Sequence, residues 1–171
     1  MGWFSYHESV REQLSTIVGA KPCEVVAMNS LSVNLHLLMA SFYRPTKTKF
    51  KILIEANAFP SDRYAVMSQL RFHGFDPQEG LIEVAPLDGQ SYLTTENILQ
   101  TIRDNKDELA LILFSGVQYL SGQCFDLAAL TKCAHQNDIM IGFDLAHSVG
   151  NVELELHDWQ VDFAAWSSYK Y

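Results

Sequence analysis

Residues 161–171 read VDFAAWSSYKY, a hydrophobic run that ends in Ser-Ser-Tyr-Lys-Tyr. A lysine placed where a buried strand runs out is a candidate nucleophile. Burial disfavours the charged ammonium and leaves a reactive amine, which can form a Schiff base with a carbonyl compound. The plain alternative is a surface lysine just past a strand. Other residues bear on the choice between them. Asp144 closes the apolar run 139–143, and His147 follows three positions later. Ser115 closes the run 109–114. Phe59 and Asp62 lie just after the run 50–55. Leu31 and Ser32 open a helical pattern after a polar turn at 29–32.

The elements that carry these residues alternate. Apolar runs at 24–28, 50–55, 81–85, 109–114, 139–143 and 161–167 read as strands. Helical spacing separates them. Leu35, Leu38, Met39 and Phe42 mark one helix, and Tyr64, Met67 and Leu70 a second, capped by Ser61 and ended at Gly74. Ile98 and Ile102 mark a third, started by Thr94 or Thr95. Leu127, Leu130 and Ala134 mark a fourth, capped by Asp126. Ahead of them Ser5 and Glu8 form a capping box for a helix through Val10, Leu14, Ile17 and Val18 that Gly19 ends. Strands that are apolar throughout imply a sheet covered on both faces. The expected fold is therefore α/β, with three layers and a mainly parallel sheet flanked by helices. Ligands of such sheets bind beyond the carboxyl ends of the strands, where the residues named above collect. His36 falls inside a helix and reads as a packed or half-exposed residue.

Composition narrows the function. With 171 residues the chain can bury a sizeable core, and 48% apolar with 19% charged residues is ordinary for a globular protein. A net charge of −8 argues against a nucleic-acid partner. No apolar run reaches a membrane span, and the N-terminus lacks the pattern of a signal peptide. Cys23, Cys124 and Cys133 form no CxxC and read as reduced thiols in a cytoplasmic protein. There is no GxGxxG and no GxxxxGK[ST], so a dinucleotide or P-loop site is disfavoured.

The strand-end set fits pyridoxal 5'-phosphate. That cofactor asks for a lysine, an acid facing its ring nitrogen, an aromatic over the ring and donors for its phosphate. Lys170, Asp144 and Phe59 supply the first three. The backbone N–H groups of Leu31 and Ser32, the Ser32 hydroxyl, Ser115 and Tyr169 supply the last. Singly, each has a plainer reading, as a helix cap, a strand-end cap or a turn.

The segments 28–36 (MNSLSVNLH), 59–62 (FPSD), 113–117 (LFSGV), 142–151 (GFDLAHSVGN) and 166–171 (WSSYKY) resemble kynureninase over essentially the whole chain. FDLAH with VGN, and SYKY, are the most specific. A cysteine desulfurase or a class V aminotransferase would share the aspartate and the lysine but not this combination. The resemblance implies a fold-type-I enzyme that hydrolyses L-kynurenine, or its 3-hydroxy form, to anthranilate or 3-hydroxyanthranilate and L-alanine, in tryptophan catabolism and NAD biosynthesis. It implies that Lys170 bonds the cofactor and moves the α-proton, and that Asp144 pairs with the pyridine nitrogen. Phe59 would stack on the ring, and Leu31, Ser32, Ser115 and Tyr169 would surround the phosphate. Asp62 and His147 would lie near the ring, with Tyr169 also a proton donor.

The same resemblance implies that 1–171 is part of a cofactor-binding large domain. The small C-terminal domain, with its arginine for the substrate carboxylate, and the last large-domain strand lie outside it. That strand belongs between the first strand and the one leading to the lysine, so its neighbours are expected to show open edges. The full-length protein is expected to be a homodimer whose partner completes the site. The chain alone is expected to be inactive.

Overall fold

The computed structural model describes residues 2–170. After a 3-10 turn at Trp3–Val10 come α1 (Arg11–Ile17) and α2 (Leu31–Phe42). Then follow β1 (Lys51–Glu55), α3 (Pro60–Phe72), α4 (Pro77–Gly80), β2 (Leu81–Val84), α5 (Thr95–Asp104), β3 (Leu109–Ser115), α6 (Leu127–His135), β4 (Met140–Asp144) and β5 (Phe163–Ala165). The strands form one sheet in the order β2-β1-β3-β4-β5, and every neighbouring pair is parallel. Parallel neighbours need crossovers, which α3 with α4, α5 and α6 supply. All five carboxyl ends therefore lie along one edge.

Side chains alternate across the sheet, and both faces are covered. Leu53, Ile112, Phe114, Ile141 and Phe143 pack with Ile98 and Ile102 of α5 and Leu127 and Leu130 of α6. Ile52, Ile54, Leu111 and Leu113 point the other way, onto Leu35 and Met39 of α2 and Val66 and Leu70 of α3. This is the three-layer arrangement expected from the unalternating strands. At the outer strand the packing is close. A Cβ built on Gly142 would lie 2.0 Å from Cε2 of Phe163, and the Phe163 ring rests on Phe42 with centroids 5.0 Å apart. Only glycine lets β4 and β5 approach this way.

Four local expectations are corrected. Residues 24–28 are not a strand. A 3-10 turn occupies Pro22–Glu24, and the stretch beyond it pairs with no strand among the described residues. Val25 and Val26 have strand-like chemistry, but a strand also needs an edge to bond to. Between this stretch and β5 lies a groove of about 810 Å³, lined by Val26, Met28, Leu37, Phe42, Phe163 and Trp166 among others. The capping box of Ser5 and Glu8 does not form; the Ser5 hydroxyl bonds back to the Gly2 carbonyl and the turn stays 3-10. Ser61 does not cap α3. Phe59 holds the cap position, Pro60 occupies the first turn and the Ser61 hydroxyl donates to Asp62. The last strand is Phe163–Ala165, shorter than 161–167. Thr94 and Asp126 do cap their helices, accepting from the N–H groups of Asn97 and Ala129 at 3.1 and 2.9 Å.

Opposite ends of the chain are clasped together. The N–H groups of Leu156 and His157 donate to the carbonyls of Val18 and Gly19 at 3.1 and 2.9 Å. Gly19, at φ +60°, sits where any Cβ would run into the backbone of Leu154 and Glu155. His157 Nδ1 lies 2.9 Å from a Glu24 carboxylate oxygen. Among the described residues no helix is long and apolar enough to cross a membrane, and Cys23, Cys124 and Cys133 are free.

Candidate active site

The carboxyl edge of the sheet gathers the candidate residues because the strands end in step. Ser115 ends β3 directly opposite Asp144 at the end of β4, and Asp144 is opposite Ala165 in β5. Asp144 is buried, and one of its carboxylate oxygens accepts the N–H of Ala146 at 2.7 Å. That bond starts a tight turn, continued by bonds from Ser148 N–H and Val149 N–H to the Leu145 carbonyl. The turn swings His147 towards the chain leaving β5. There, within the 3-10 turn Ser168–Lys170, Lys170 Nζ lies 3.0 Å from His147 Nε2. Lys170 is half-buried, and the group beside its amine is a ring nitrogen rather than a carboxylate.

On the other side of Asp144 stands α3. Asp62 in its first turn is buried and has Asp144 as its acidic neighbour. Burial, then the hydrogen bond and charge of Asp144, raise the Asp62 pKa to about 8. Phe59, at the cap of α3, is half-exposed, and its ring meets the Tyr119 ring edge-on with centroids 5.0 Å apart. The loop between β1 and α3 is held by Gln118, whose side-chain amide donates to the Asn57 carbonyl at 2.8 Å. Asn57 takes a left-handed φ of 57°, a conformation asparagine tolerates in a tight turn.

Leu31 and Ser32 form the first turn of α2. Ser30 stands at the N-cap with an extended backbone but makes no side-chain cap bond. The opening N–H groups of a twelve-residue helix are thus left without a side-chain partner, where an anion is favoured. The turn that aims this helix bends at Asn29, φ 51°.

The structure therefore joins Asp62 to Asp144 and Lys170 to His147, and sets Ser115 beside Asp144. Phe59 sits at the head of the helix that carries Asp62. Tyr169 is 83% exposed. Ser115 commits its hydroxyl to Glu55, which accepts it at 2.5 Å. His36 packs in α2 with Nδ1 3.0 Å from the Gln69 side-chain amide. Glu55, Gln118 and Tyr119 complete the edge but were not among the residues singled out from sequence. A signal was there for Glu55, an acid closing an apolar strand as Asp144 does. Gln118 and Tyr119 lie in a loop with no pattern to mark them.

Asp144 and Lys170 on neighbouring strand ends, an aromatic at the rim and an uncapped helix start meet the demands of pyridoxal 5'-phosphate. Lys170 would hold its aldehyde carbon, Asp144 would face its ring nitrogen, and Leu31 and Ser32 would receive its phosphate.

A family model described as Aminotransferase class-V matches residues 4–171. The kynureninase of Myxococcus xanthus is 59% identical over 169 residues, which make up 99% of this chain and 40% of that protein. The kynureninase of Nematostella vectensis is 53% identical, again over 99% of this chain but 36% of its own length. The chain thus spans about two-fifths of these relatives. Among solved structures, a cysteine desulfurase from Thermococcus onnurineus NA1 superimposes with a TM-score of 0.75. It is 23% identical and the match covers 94% of this chain and 38% of that one. The cysteine desulfurase CsdA from Escherichia coli gives a TM-score of 0.79 at 16% identity, covering 98% and 40%. At such identities the structural likeness shows the fold.

Proposed function

Because this chain belongs to the aminotransferase class-V family, we propose that it is the cofactor-binding part of a kynureninase that uses pyridoxal 5'-phosphate to cleave L-kynurenine, or its 3-hydroxy form, by hydrolysis. The observation that carries the reading is Lys170 Nζ at 3.0 Å from His147 Nε2, one strand away from a buried Asp144. Identities of 50–59% to kynureninases along the whole chain support that substrate over cysteine.

When bound, the cofactor is an electron sink for negative charge at the substrate α-carbon. The protein's share is proton and charge management. His147, with Nε2 3.0 Å from Lys170 Nζ, keeps the lysine aimed along the sheet edge and is a place for a proton to go. Asp144, fixed by the Ala146 N–H and by Asp62, presents a carboxylate that favours a protonated ring nitrogen. Phe59, held against Tyr119, offers one flat face. The N–H groups of Leu31 and Ser32 at the start of α2 would hold its phosphate.

A strand from the rest of the longer protein would lie in the groove between residues 24–28 and β5, which has no strand partner on that side among the described residues. The homodimer, the cytoplasmic location and the low activity of this chain alone belong to the same reading.

The test is absorbance of the chain mixed with pyridoxal 5'-phosphate, before and after borohydride, with Lys170→Ala beside it. A lysine-bound chromophore that borohydride traps, absent from the variant, is expected. A trapped product that persists in Lys170→Ala would place the bond elsewhere. On the full-length protein, anthranilate fluorescence from kynurenine against sulfide from cysteine separates a kynureninase from a cysteine desulfurase.

A further inference from the structure

The strand that leads to Lys170 is short and has one neighbour. Among the described residues β5 pairs with β4 alone, through Gly142 with Phe163, Phe143 with Ala164 and Asp144 with Ala165. So few pairs do little to fix how far along β4 it lies. A slip of one residue would carry it about 3.3 Å and turn Phe163 away from α2. The 3.0 Å contact of Lys170 Nζ with His147 Nε2, made from the turn just beyond β5, depends on that placement.

Asp162, immediately ahead of β5, supplies a hold that the chemistry above does not use. The N–H groups of a strand face alternate edges, and Leu145 N–H donates to the Ala165 carbonyl at 2.8 Å. Ile141 lies two such alternations earlier, so its N–H faces the same neighbour. The ladder does not reach it. β5 begins at Phe163, and Val161 is turned back, its N–H donating to the Leu156 carbonyl. The Asp162 carboxylate takes the place of the missing acceptor: its Oδ2 accepts the Ile141 N–H at 2.8 Å. His135, in the last turn of α6, brings its Nε2 to 3.2 Å from the same oxygen. The plain reading is an exposed acid ahead of a strand. It does not fit a side chain 19% exposed with partners from two elements.

We propose that Asp162 is a positioning residue, which pins the register of β5 on β4 from the end of the sheet opposite the candidate site and so sets Lys170 against His147. A bond to a charged acceptor is the strong kind, suited to a strand with so few pairs of its own. The inference rests on the proposed function only for what Lys170 binds; the pin and the contact are properties of the chain itself.

The experiment compares the cofactor-free wild type with three altered chains. Asp162→Ala removes the acceptor. Asp162→Asn keeps an oxygen for Ile141. In the third, the Ile141 amide is replaced by the ester of the matching hydroxy acid, which removes the donor alone. NMR gives two readings: exchange of the Ile141 amide hydrogen, and the displacement of the His147 ring nitrogen resonances when Lys170→Met is added, which reports the contact. In Asp162→Ala the Ile141 amide is expected to exchange about tenfold faster, the worth of one such bond. The displacement is expected to vanish there and in the ester chain. Both readings are expected to stay near wild type in Asp162→Asn, a recovery that a general loss of stability would not give. With pyridoxal 5'-phosphate and borohydride, trapping at Lys170 is expected to slow about tenfold in Asp162→Ala and to recover in Asp162→Asn. A displacement that survives in Asp162→Ala overturns the proposal, as does an Ile141 amide that exchanges no faster there. Should Asp162→Ala fail to fold, the ester chain decides by the same displacement. If the contact depends on Asp162 but the wild type traps no pyridoxal 5'-phosphate, the cofactor reading fails and the role of Asp162 stands.

Discussion

Replacing Gly142 by alanine tests how closely the lysine-bearing strand is held. The added Cβ would stand 2.0 Å from Cε2 and 2.1 Å from Cζ of Phe163. Carbon atoms pack at about 3.5–4.0 Å, so the ring must retreat by about 1.5 Å. It has nowhere free to go, since Phe163 is 6% exposed and lies on Phe42. Overpacking of this kind costs about 1–3 kcal/mol, of which alanine's lower chain entropy in the unfolded state returns about 0.5–1 kcal/mol. Gly142→Ala should therefore lose about 1–2 kcal/mol. Leucine lacks the Cε2 and Cζ atoms that collide. Phe163→Leu alone should cost about 1–2 kcal/mol of lost burial. The double variant should approach Phe163→Leu alone, because the two nearest ring atoms are gone and the leucine Cδ2, which takes the place of a ring carbon 2.5 Å from the new Cβ, can turn aside. Urea denaturation of the four proteins, read as a double-mutant cycle, should give a coupling of about 1 kcal/mol or more. Additivity within about 0.5 kcal/mol would show that Gly142 is not kept small by the Phe163 ring.

The Asp62 carboxyl is raised from 3.8 to about 8, so its contribution to stability is greatest at acid pH and is lost as pH rises through about 8. Asn at this position keeps an N–H donor for Asp144 but does not titrate. Stability from urea denaturation should fall with pH in the wild type, at up to about 1.4 kcal/mol per unit, and less steeply in Asp62→Asn; parallel curves would contradict a raised Asp62. Asp126→Ala removes the side-chain acceptor of the Ala129 N–H and should cost about 1 kcal/mol, read from the same denaturation curves. Gly116→Ala would put a Cβ 2.2 Å from Ser148 Oγ and 2.8 Å from a Leu145 methyl. It should displace the turn that carries His147, seen as a changed His147 ring resonance and a lowered melting temperature; an unmoved resonance would count against that coupling.

Much of this was legible in the residues because the sheet is buried on both faces. Runs such as 109–114 announce themselves by being apolar throughout, and the residue that closes each then lies at the carboxyl edge of the sheet. Asp144 and Ser115 were placed at that edge this way. What escaped depended on neighbours distant in sequence. Residues 24–28 have the composition of a strand, but strand formation is a pairwise property and no paired neighbour is present. Ser61 has good capping chemistry, yet Pro60 fixes the first turn one step earlier. Glu55 resembled any polar strand end until the register placed Ser115 beside it.

The clasp between Val18–Gly19 and Leu156–His157 bears on how the chain folds and where it first comes apart. It closes nearly the whole chain into a loop, and loop entropy grows with length, by about 0.6 kcal/mol for each doubling. Pairings such as β3 with β4 close far shorter loops and can form earlier. The two amides of the clasp should then gain protection last during refolding and lose it first in native-state hydrogen exchange. Release of the clasp would free α1 from the sheet while the central strands stay paired, making it the seam along which a protease or a chaperone first meets the chain.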